Sequence, residues 1–508
     1  MLSFVTQKTY YDFVKEITAD ELYRGLMVHG LFAEKLPPFL SGEAFYSYVL
    51  SMSTPFPEKP RQYIYYESIR DTNVPRPMGI PHPFAHQNLC HCLRDNWERI
   101  LEYFREKTAN QRHKISRIHL RKMNDDPRLF EMNYNDWRTD PSPEVDLMMG
   151  KHYFVNADIS NCFPSIYTHA LPWALVGKDH AKKNRKNTHW FNQIDTHTRN
   201  IKHGETHGLL IGPHVSNLLS EIILTAVDEG LYQQNWQFVR FIDDYKCYTK
   251  TFEEAERFIV VLNKHLHYFG LTLNHKKTFI LPLPQVTEEQ WVRKINSFDL
   301  VKATETVNYK EARAFLDSAV ELAYENGSRS SILNYAIKIL CKKKLTDNAR
   351  IYSGKRIPHL AHIYPYLVSL LDEFVFMPLQ LGKDMIARFS NDLFETEMER
   401  ANYEAVNYAI YFALKHRFEL KKLDVQRIIE SNNCLVLLLA QLYYLYRCDK
   451  HFCCELKKHA LLLCANDEDF EQNWLFVYET LPAGRLRDEW KQMKRSGISF
   501  VDKKQLNR

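Results

Sequence analysis

The stretch FVRFIDDYKCY, residues 238–248, places two adjacent carboxylates between two β-prone segments. Residues 238–242 and 246–248 have the composition of strands, and Asp243 and Asp244 lie where a tight turn is expected. A second apolar run, residues 153–155, is followed closely by Asp158. A hairpin placed beside that run would bring the three carboxylates together. The pattern therefore predicts a cluster of Asp158, Asp243 and Asp244 at one edge of a sheet.

Three clustered carboxylates are typical of a site that binds two Mg²⁺ ions. Such hard cations prefer carboxylate oxygens, and two of them about 3.5 to 4 Å apart can hold both the attacking and the leaving oxygen of a phosphoryl transfer. Nucleotidyl transfer needs this arrangement. An isolated Asp-Asp pair is more often a polar turn, so the order and the flanking residues of the acids carry the prediction of a polymerase active site.

The sequence around Asp158 resembles motif A of the reverse transcriptases. Residues 158–167 read DISNCFPSIY. The resemblance implies that Asp158 and the main chain of Ile159 bind the metal ions. It also implies that the ring of Phe163 lies where a 2′-hydroxyl would be, which favours deoxynucleotides because the pocket rejects the larger sugar by steric clash.

Two later segments resemble motifs C and D of the same family. Residues 241–244 (FIDD) resemble motif C, with Phe241 in place of the commoner Tyr, and imply Asp243 and Asp244 as catalytic metal ligands. Residues 270–278 (GLTLNHKKT) resemble motif D and align Lys277 with a lysine that approaches the departing pyrophosphate. An ammonium there can neutralise charge or donate a proton. The alternative, which the sequence favours equally, is that Lys277 is an ordinary solvated surface lysine.

Residues 208–221 (GLLIGPHVSNLLSE) resemble motif B, a glycine-rich turn that enters a helix. The resemblance implies that Gly212 lets the backbone approach the incoming nucleotide, where a Cβ atom would collide. The family usually has Leu-Pro-polar-Gly at this position, and this chain has Leu209-Leu210-Ile211-Gly212. The loss of the polar residue puts ordinary template handling in doubt.

An upstream segment, residues 76–83 (RPMGIPHP), resembles the fingers motif Arg-Pro-Leu-Gly-Ile-Pro. The resemblance implies that Arg76 binds the nucleotide triphosphate through its bidentate guanidinium. The family often has a Lys shortly before this Arg, and Arg70 is the nearest basic residue here. Both arginines are therefore candidate nucleotide ligands.

Length and composition indicate a large enzyme of the cytoplasm. A chain of 508 residues is long enough for two to four domains. Its 67 basic and 62 acidic residues leave a net charge of only +5, so nucleic-acid affinity depends on local patches such as residues 112–122. The ten cysteines form no secretory framework, and no signal-peptide pattern opens the chain. We expect a cytoplasmic protein without membrane contact, and only the family resemblance given below implies that the cytoplasm is bacterial.

The expected fold is α+β. The resemblance implies a right-hand polymerase core of fingers and palm over residues 1–284, with an antiparallel palm sheet and the palm motifs at about residues 151–284. From residue 285 to 508, strand signals fade and apolar residues recur at helical spacing. We expect an all-α C-terminal domain of stacked, HEAT-like helices there, although no fixed sequence period is visible.

The combination of a polymerase core with an all-helical C-terminal domain resembles the bacterial abortive-infection reverse transcriptases of phage defence. The resemblance implies that the protein adds dNTPs without a template, from a tyrosine hydroxyl, with Mg²⁺ or Mn²⁺ as cofactor. The product would be single-stranded DNA attached to the protein, and the protein would form a trimer or hexamer. The candidate priming residues near the N-terminus are Tyr10, Tyr11 and Tyr46, among 29 tyrosines.

Two alternatives remain open at the level of sequence. One is a conventional RNA-templated reverse transcriptase that works with a noncoding RNA in defence, and copurifying RNA would indicate it. The other is a non-enzymatic scaffold that keeps only the fold. The presence of Asp158, Asp243 and Asp244 argues against the scaffold.

Overall fold

The computed structural model describes residues 8–52, 54–69, 75–123, 128–130, 143–285, 289–302 and 306–507. Within these ranges the chain is mostly helical with two small β-sheets. Its contacts group into two compact units. Unit 1 comprises Met1–Ala33, Ser41–Ile64 and Gly79–Gln285, and unit 2 comprises Glu34–Leu40, Tyr65–Met78 and Val286–Arg508.

Strands and helices alternate in the first half of the chain. The strands are β1 (Tyr63–Ile69), β2 (Pro75–Pro81), β3 (Tyr153–Asp158), β4 (Phe238–Phe241), β5 (Asp244–Thr249) and β6 (Phe279–Pro282). The helices are α1 (Tyr10–Val14), α2 (Ala19–Arg24), α3 (Glu43–Ser51), α4 (Pro83–Asp95), α5 (Trp97–Thr108), α6 (Glu144–Met148), α7 (Cys162–Ser165), α8 (Ala170–Val176), α9 (Lys178–Lys183), α10 (Trp190–Asn200), α11 (His214–Tyr232) and α12 (Phe252–Tyr268), with a π-helix at Gly25–His29.

A four-stranded antiparallel sheet in the order β4-β5-β3-β6 forms the centre of unit 1. The predicted hairpin of β4 and β5 beside β3 is confirmed. Alternate residues of β3, Val155 and Ala157, are buried, as expected for a strand with one face on the core. Helix α12 contributes Phe258, Leu262 and Leu266, which are fully buried and share one helix face because they are four residues apart.

Unit 2 is helical from residue 290 onward. Its helices are α13 (Gln290–Asn296), α14 (Asp299–Lys302), α15 (Tyr309–Glu325), α16 (Ser330–Cys341), α17 (Asp347–Ile363), α18 (Val368–Leu370), α19 (Lys383–Glu399), α20 (Tyr403–His416), α21 (Val425–Glu430), α22 (Cys434–Arg447), α23 (Lys450–Leu463), α24 (Asp467–Gln472), α25 (Trp474–Thr480), α26 (Asp488–Arg495) and α27 (Lys503–Asn507). Short 3₁₀-helices lie at Pro365–Leu367 and Ala483–Arg485, and a π-helix lies at Leu371–Phe376. The helical prediction is therefore confirmed, and the HEAT-like arrangement stays a prediction.

Two short segments from the first half of the chain group with unit 2. In residues 34–40, Leu40 forms a β-bridge with Val501, and the Lys35 carbonyl accepts a hydrogen bond of 2.9 Å from the Tyr408 hydroxyl. In residues 65–78, the Ile69 amide donates to the Glu404 carboxylate at 2.6 Å. Sequence analysis assigned neither segment to the C-terminal half, and the domain boundaries it proposed stay a prediction.

Two other expectations needed correction. Residues 364–371 have apolar residues at helical spacing, but instead of one regular helix they form a 3₁₀-helix, a short α-helix and the start of a π-helix. Pro365 begins this irregular segment, at a position where its missing N–H is tolerated. The basic stretch 112–122 was expected at the surface. Lys114 and Arg121 are only 1% exposed, and their cationic groups lie over the ring of Phe13.

Helix α22 is a strongly apolar helix of unit 2. Leu435 to Ala440 are almost fully buried, whereas Leu445 is 55% exposed near the end of the helix. None of the helices in the described part of the chain is long and apolar enough to cross a membrane.

Replacing Leu438 by Ala should lower the free energy of unfolding by about 2–5 kcal/mol, because the substitution leaves a cavity at a fully buried position. The matched control is Leu445→Ala on the exposed face of the same helix, with an expected change within about 0.5 kcal/mol. Urea unfolding followed by circular dichroism measures both. Equal losses in the two variants would contradict the assignment of α22 to the core.

Buried histidines make unit 1 sensitive to acid. Burial lowers the pKa of His86 and of His214 to about 4, against about 6.5 in an unfolded chain. Between these values the unfolded state binds more protons than the folded state, so stability falls as pH decreases from about 6.5 towards 4. In His86→Gln this dependence should be shallower than in the exposed control His267→Gln, as measured by thermal midpoints between pH 7.5 and 5. Identical slopes in the two variants would contradict it.

Candidate functional site

The three predicted carboxylates lie together at one end of the antiparallel sheet. Asp158, the last residue of β3, is directly opposite Asp244, the first residue of β5. Asp243 lies in the turn between β4 and β5, and its carbonyl accepts a hydrogen bond of 3.1 Å from the Ile159 amide. The end of β3 is thus connected to the Asp-Asp turn by two backbone contacts, the pairing of Asp158 with Asp244 and the hydrogen bond from Ile159 to Asp243. The catalytic role of these residues, including Ile159 as a metal ligand, stays a prediction.

Asp158 is 4% exposed and both of its carboxylate oxygens have protein donors. The Asn274 side-chain amide donates to Oδ1 at 2.9 Å, and the Lys277 ammonium donates to Oδ2 at 3.2 Å. The Asn274 backbone amide also donates to the Asp158 carbonyl at 2.8 Å. The segment that resembles motif D is therefore fastened directly to the central aspartate.

The crowding of negative charge changes the acidity of Asp244. Burial, a hydrogen bond with Asp158 and the charges of Asp243 and Asp158 raise the pKa of Asp244 to about 7, and the Lys277 ammonium opposes the rise. A carboxyl group in this setting is stabilised by a proton or by a cation.

The site is not arranged as a complete metal cage. In the described residues, no three His, Cys, Asp or Glu side chains are grouped so that they could hold a metal ion as they stand. The oxygens of Asp158 accept from Asn274 and Lys277 instead. An incoming cation would have to replace at least the Lys277 ammonium, whose side chain is 65% exposed.

The segments that resemble motifs A and B are joined through backbone hydrogen bonds. The Phe163 carbonyl, in α7, accepts from the Leu209 amide at 2.8 Å, and the Ile166 carbonyl accepts from the Gly208 amide at 2.8 Å. Gly208 has φ of +84°, and a Cβ atom there would lie 2.9 Å from the Pro164 carbonyl oxygen. The residue before the turn must therefore be glycine.

The rest of the motif B turn is hydrogen-bonded to strand β2. The Ile211 carbonyl accepts a hydrogen bond of 2.9 Å from the Gly79 amide. Gly212 follows with φ of +130°, in a region that favours glycine. Leu209 and Leu210 are each 4% exposed, whereas Ile211, at the position where the family has a polar residue, is partly buried.

The two predicted triphosphate ligands, Arg76 and Arg70, precede in the sequence the motifs that carry the aspartates. Arg76 lies on β2, is partly buried and groups with unit 2. Arg70 lies outside the described residues. Both stay predictions.

The three candidate priming tyrosines differ in exposure. Tyr10 is 1% exposed, packs against Phe104 and His119, and has a pKa that burial raises well above its ordinary value. Tyr11 and Tyr46 are partly buried. The pKa of Tyr46 is raised by burial, and its ring lies 5.7 Å from that of Tyr23.

Four residues that support the site were not among the residues predicted from the sequence. They are Asn274, which holds Asp158, and the buried set Glu221, Asp228 and Arg240 behind the Asp-Asp turn. A charged residue inside an apolar strand, as in FVRFI, is an available signal for a buried ion pair. The carboxylates seven residues apart in the apolar α11 sequence are a second signal.

Comparison with protein families identifies the region that contains these motifs. Residues 105–309 match the family described as "Reverse transcriptase (RNA-dependent DNA polymerase)". The matched region, which is less than half of the chain, is similar to a reverse-transcriptase domain. All three aspartates, Phe163, Gly212 and Lys277 lie inside this region, whereas Arg76 lies before it. The match supports nucleic-acid polymerase activity. The comparison with curated proteins finds no match.

Solved structures with detectable similarity include telomerases. Apo telomerase from Candida tropicalis is 9% identical, with 82% of this chain and 73% of that chain covered and a TM-score of 0.33. Telomerase from Candida albicans with a fragment of telomeric RNA is 10% identical, with 79% and 65% covered and a TM-score of 0.30. These TM-scores are too low to indicate that the whole chains share a fold.

The packing of the site predicts which cysteines react. Cys162, which follows the motif A turn, is 3% exposed, and burial raises the pKa of its thiol well above the ordinary value, with a further contribution from Asp243. Cys448 and Cys454 are exposed. Iodoacetamide should modify Cys448 and Cys454 in the folded protein and Cys162 only after denaturation, because the thiolate is the reactive form. Peptide mass spectrometry measures this, and rapid labelling of Cys162 would contradict the closed packing of motif A.

Proposed function

We propose that this protein is a DNA polymerase of the reverse-transcriptase type that acts in antiphage defence by abortive infection. It adds dNTPs without a template, starting from a tyrosine hydroxyl of the protein. The observation that carries the polymerase part is the convergence of Asp158, Asp243 and Asp244 at one sheet end within the region similar to a reverse-transcriptase domain. The resemblance described above to abortive-infection reverse transcriptases supports the remainder.

The donor set at the sheet end fits divalent cations. Three carboxylates, with the pKa of Asp244 raised to about 7, form a site of excess negative charge that suits Mg²⁺ or Mn²⁺. Asp158, Asp243, Asp244 and the Ile159 carbonyl would hold the ions. When bound, such ions activate the attacking oxygen and stabilise the leaving pyrophosphate.

The chain's own groups have separate tasks in this proposal. The Lys277 ammonium donates a hydrogen bond to Asp158 Oδ2 in this structure. It would leave Asp158 when a cation binds there and would then contact the pyrophosphate. Phe163 stands beside the sugar and excludes a 2′-hydroxyl. Gly212 leaves space for the nucleotide, and Arg76 and Arg70 bind the triphosphate.

The motif B turn supports synthesis without a template. Ile211 stands where the family has a polar residue that handles the template, and the two residues before it, Leu209 and Leu210, are buried. Leu210 also packs closely on Gly79, because a Cβ atom added to Gly79 would lie only 3.0 Å from Leu210 Cδ2. A turn closed in this way offers fewer polar contacts to a template base.

The partial burial of Tyr11 and Tyr46 makes them better candidates for priming than Tyr10, whose hydroxyl is enclosed in the core. The growing product would be single-stranded DNA attached to that tyrosine. We further propose a homo-oligomer, a trimer or hexamer, as in the family that the chain resembles.

The replacement Asp243→Asn should abolish nucleotide incorporation, with a loss of about 10³-fold or more, because a lost metal ligand removes several kcal/mol of transition-state stabilisation. The protein is incubated with Mg²⁺ and dNTPs in the absence of nucleic acid. Mass spectrometry and gel mobility before and after nuclease treatment detect a DNase-sensitive covalent adduct, and peptide mapping identifies its tyrosine.

Asp179→Asn, at an exposed position of α9, serves as the matched control and should incorporate as the unchanged protein does. An active Asp243→Asn protein would refute the site assignment. Activity only with added primer and RNA template would replace untemplated synthesis by the conventional reverse transcriptase that works with a noncoding RNA. Complete inactivity under both conditions would favour a scaffold.

A further inference from the structure

The turn that carries Asp243 contains a residue in an unfavourable backbone conformation. Ile242 has φ of +59°, in the left-handed region. A β-branched residue rarely adopts this region, because its side chain crowds the backbone, and such residues persist only where the surroundings hold them. Ile242 immediately precedes the two carboxylates, so its conformation sets their direction.

The Arg240 side chain reaches forward to this turn. Its Nη1 atom donates to the Ile242 carbonyl at 2.8 Å. The side chain is fully buried, with 0% exposure. Arg240 therefore clamps the backbone of its own turn from inside the protein.

Two carboxylates of helix α11 fix the guanidinium in place. Asp228 accepts from Nε at 2.9 Å and from Nη2 at 2.7 Å, and Glu221 accepts from Nη2 at 2.8 Å and from Nη1 at 3.2 Å. The two acids are seven residues apart, which is close to two helical turns, so they lie on the same helix face. Burial by itself would lower the pKa of Arg240, but the charges of Asp228 and Glu221 raise it well above its ordinary value, and the cation persists.

The main chain of Arg240 is held as well. Its amide donates to the Ile115 carbonyl at 2.9 Å, and its carbonyl accepts from the Arg117 amide at 2.8 Å. On the far side of the turn, the Ile159 amide donates to the Asp243 carbonyl. The guanidinium thus lies between a strand and a helix that are both held in place. Its hydrogen bond to the Ile242 carbonyl is its direct contact with the turn.

We propose that Arg240, held by Glu221 and Asp228, is a positioning residue that keeps the Ile242–Asp243 turn in its left-handed conformation and so directs Asp243 towards Asp158. The inference rests on the proposed polymerase function. The aspartates of the site repel one another and so cannot hold themselves in place. In this proposal the buried cluster of Arg240, Glu221 and Asp228 holds them in position.

Arginine is required for this geometry. One planar guanidinium donates to two carboxylates and one carbonyl along fixed directions, whereas a lysine ammonium has three donors on a single atom and cannot reach the same acceptors. Arg240→Lys therefore keeps the buried charge but releases the Ile242 carbonyl. The expected consequence is a displaced Asp243 in a folded protein.

The test compares Arg240→Lys with Arg105→Lys, an exposed arginine on α5. Arg240→Lys should lower kcat for dNTP incorporation by about 10²-fold, since displacements of about 1 Å have effects of this size, and leave the KM for dNTP within about twofold. Amide hydrogen exchange should become faster in the peptides that contain Ile159 and Asp244. Arg105→Lys should change neither quantity.

A second substitution separates positioning from general destabilisation. Asn tolerates the left-handed region better than Ile, so Ile242→Asn in the Arg240→Lys background should recover kcat by about tenfold relative to Arg240→Lys alone. A loss of activity accompanied by faster exchange throughout the chain, without recovery by Asn, would overturn the proposal. Wild-type kcat and wild-type exchange in Arg240→Lys would overturn it as well.

If Arg240→Lys does not fold, Glu221→Gln provides the measurement. It keeps the side-chain shape but weakens one anchor of the guanidinium, so exchange at Ile159 should quicken locally, and unchanged exchange would overturn the proposal. Hydrogen exchange does not require activity. If the unchanged protein incorporates no nucleotide, the proposed function fails, while the exchange data still decide whether Arg240 holds the turn.

Discussion

The antiparallel pairing of β3 with β5 brings Asp158 opposite Asp244, and the site depends on this contact between like charges. Burial, a hydrogen bond with Asp158 and the charges of Asp243 and Asp158 raise the pKa of Asp244 to about 7. The strand ladder and the bond from the Ile159 amide to the Asp243 carbonyl hold the acids together. Asn274 and Lys277 then stabilise Asp158 by direct donation.

Main-chain contacts connect the other segments to this centre. The Gly208 and Leu209 amides donate to residues of motif A, and the same turn continues through Gly212 into α11. Helix α11 in turn carries the carboxylates that bind Arg240 behind the Asp-Asp turn. The motif B turn and the Asp-Asp turn are thus attached to one helix, so a change in the position of α11 would affect both.

Local patterns predicted the elements whose formation depends on local physics. The β-prone runs around Asp243 and the apolar run before Asp158 form strands, and the helical spacing after residue 285 forms helices. The burial of Arg121 and the attachment of residues 34–40 and 65–78 to unit 2 were not predictable in this way, because they arise from partners far along the chain. The helical spacing at residues 364–371 did not reveal that the helix there is irregular.

The sequence by itself determined which carboxylates belong together and that two β-prone segments flank a tight turn, because spacing and residue type decide strand and turn formation. Only the tertiary structure decided how Asp243 is directed. Its orientation depends on the left-handed Ile242 and on Arg240, Glu221 and Asp228, which meet from a strand and a helix. Hydrogen-bond geometry in a buried cluster is a property of atoms brought together by folding, and a linear pattern of residue types does not contain it.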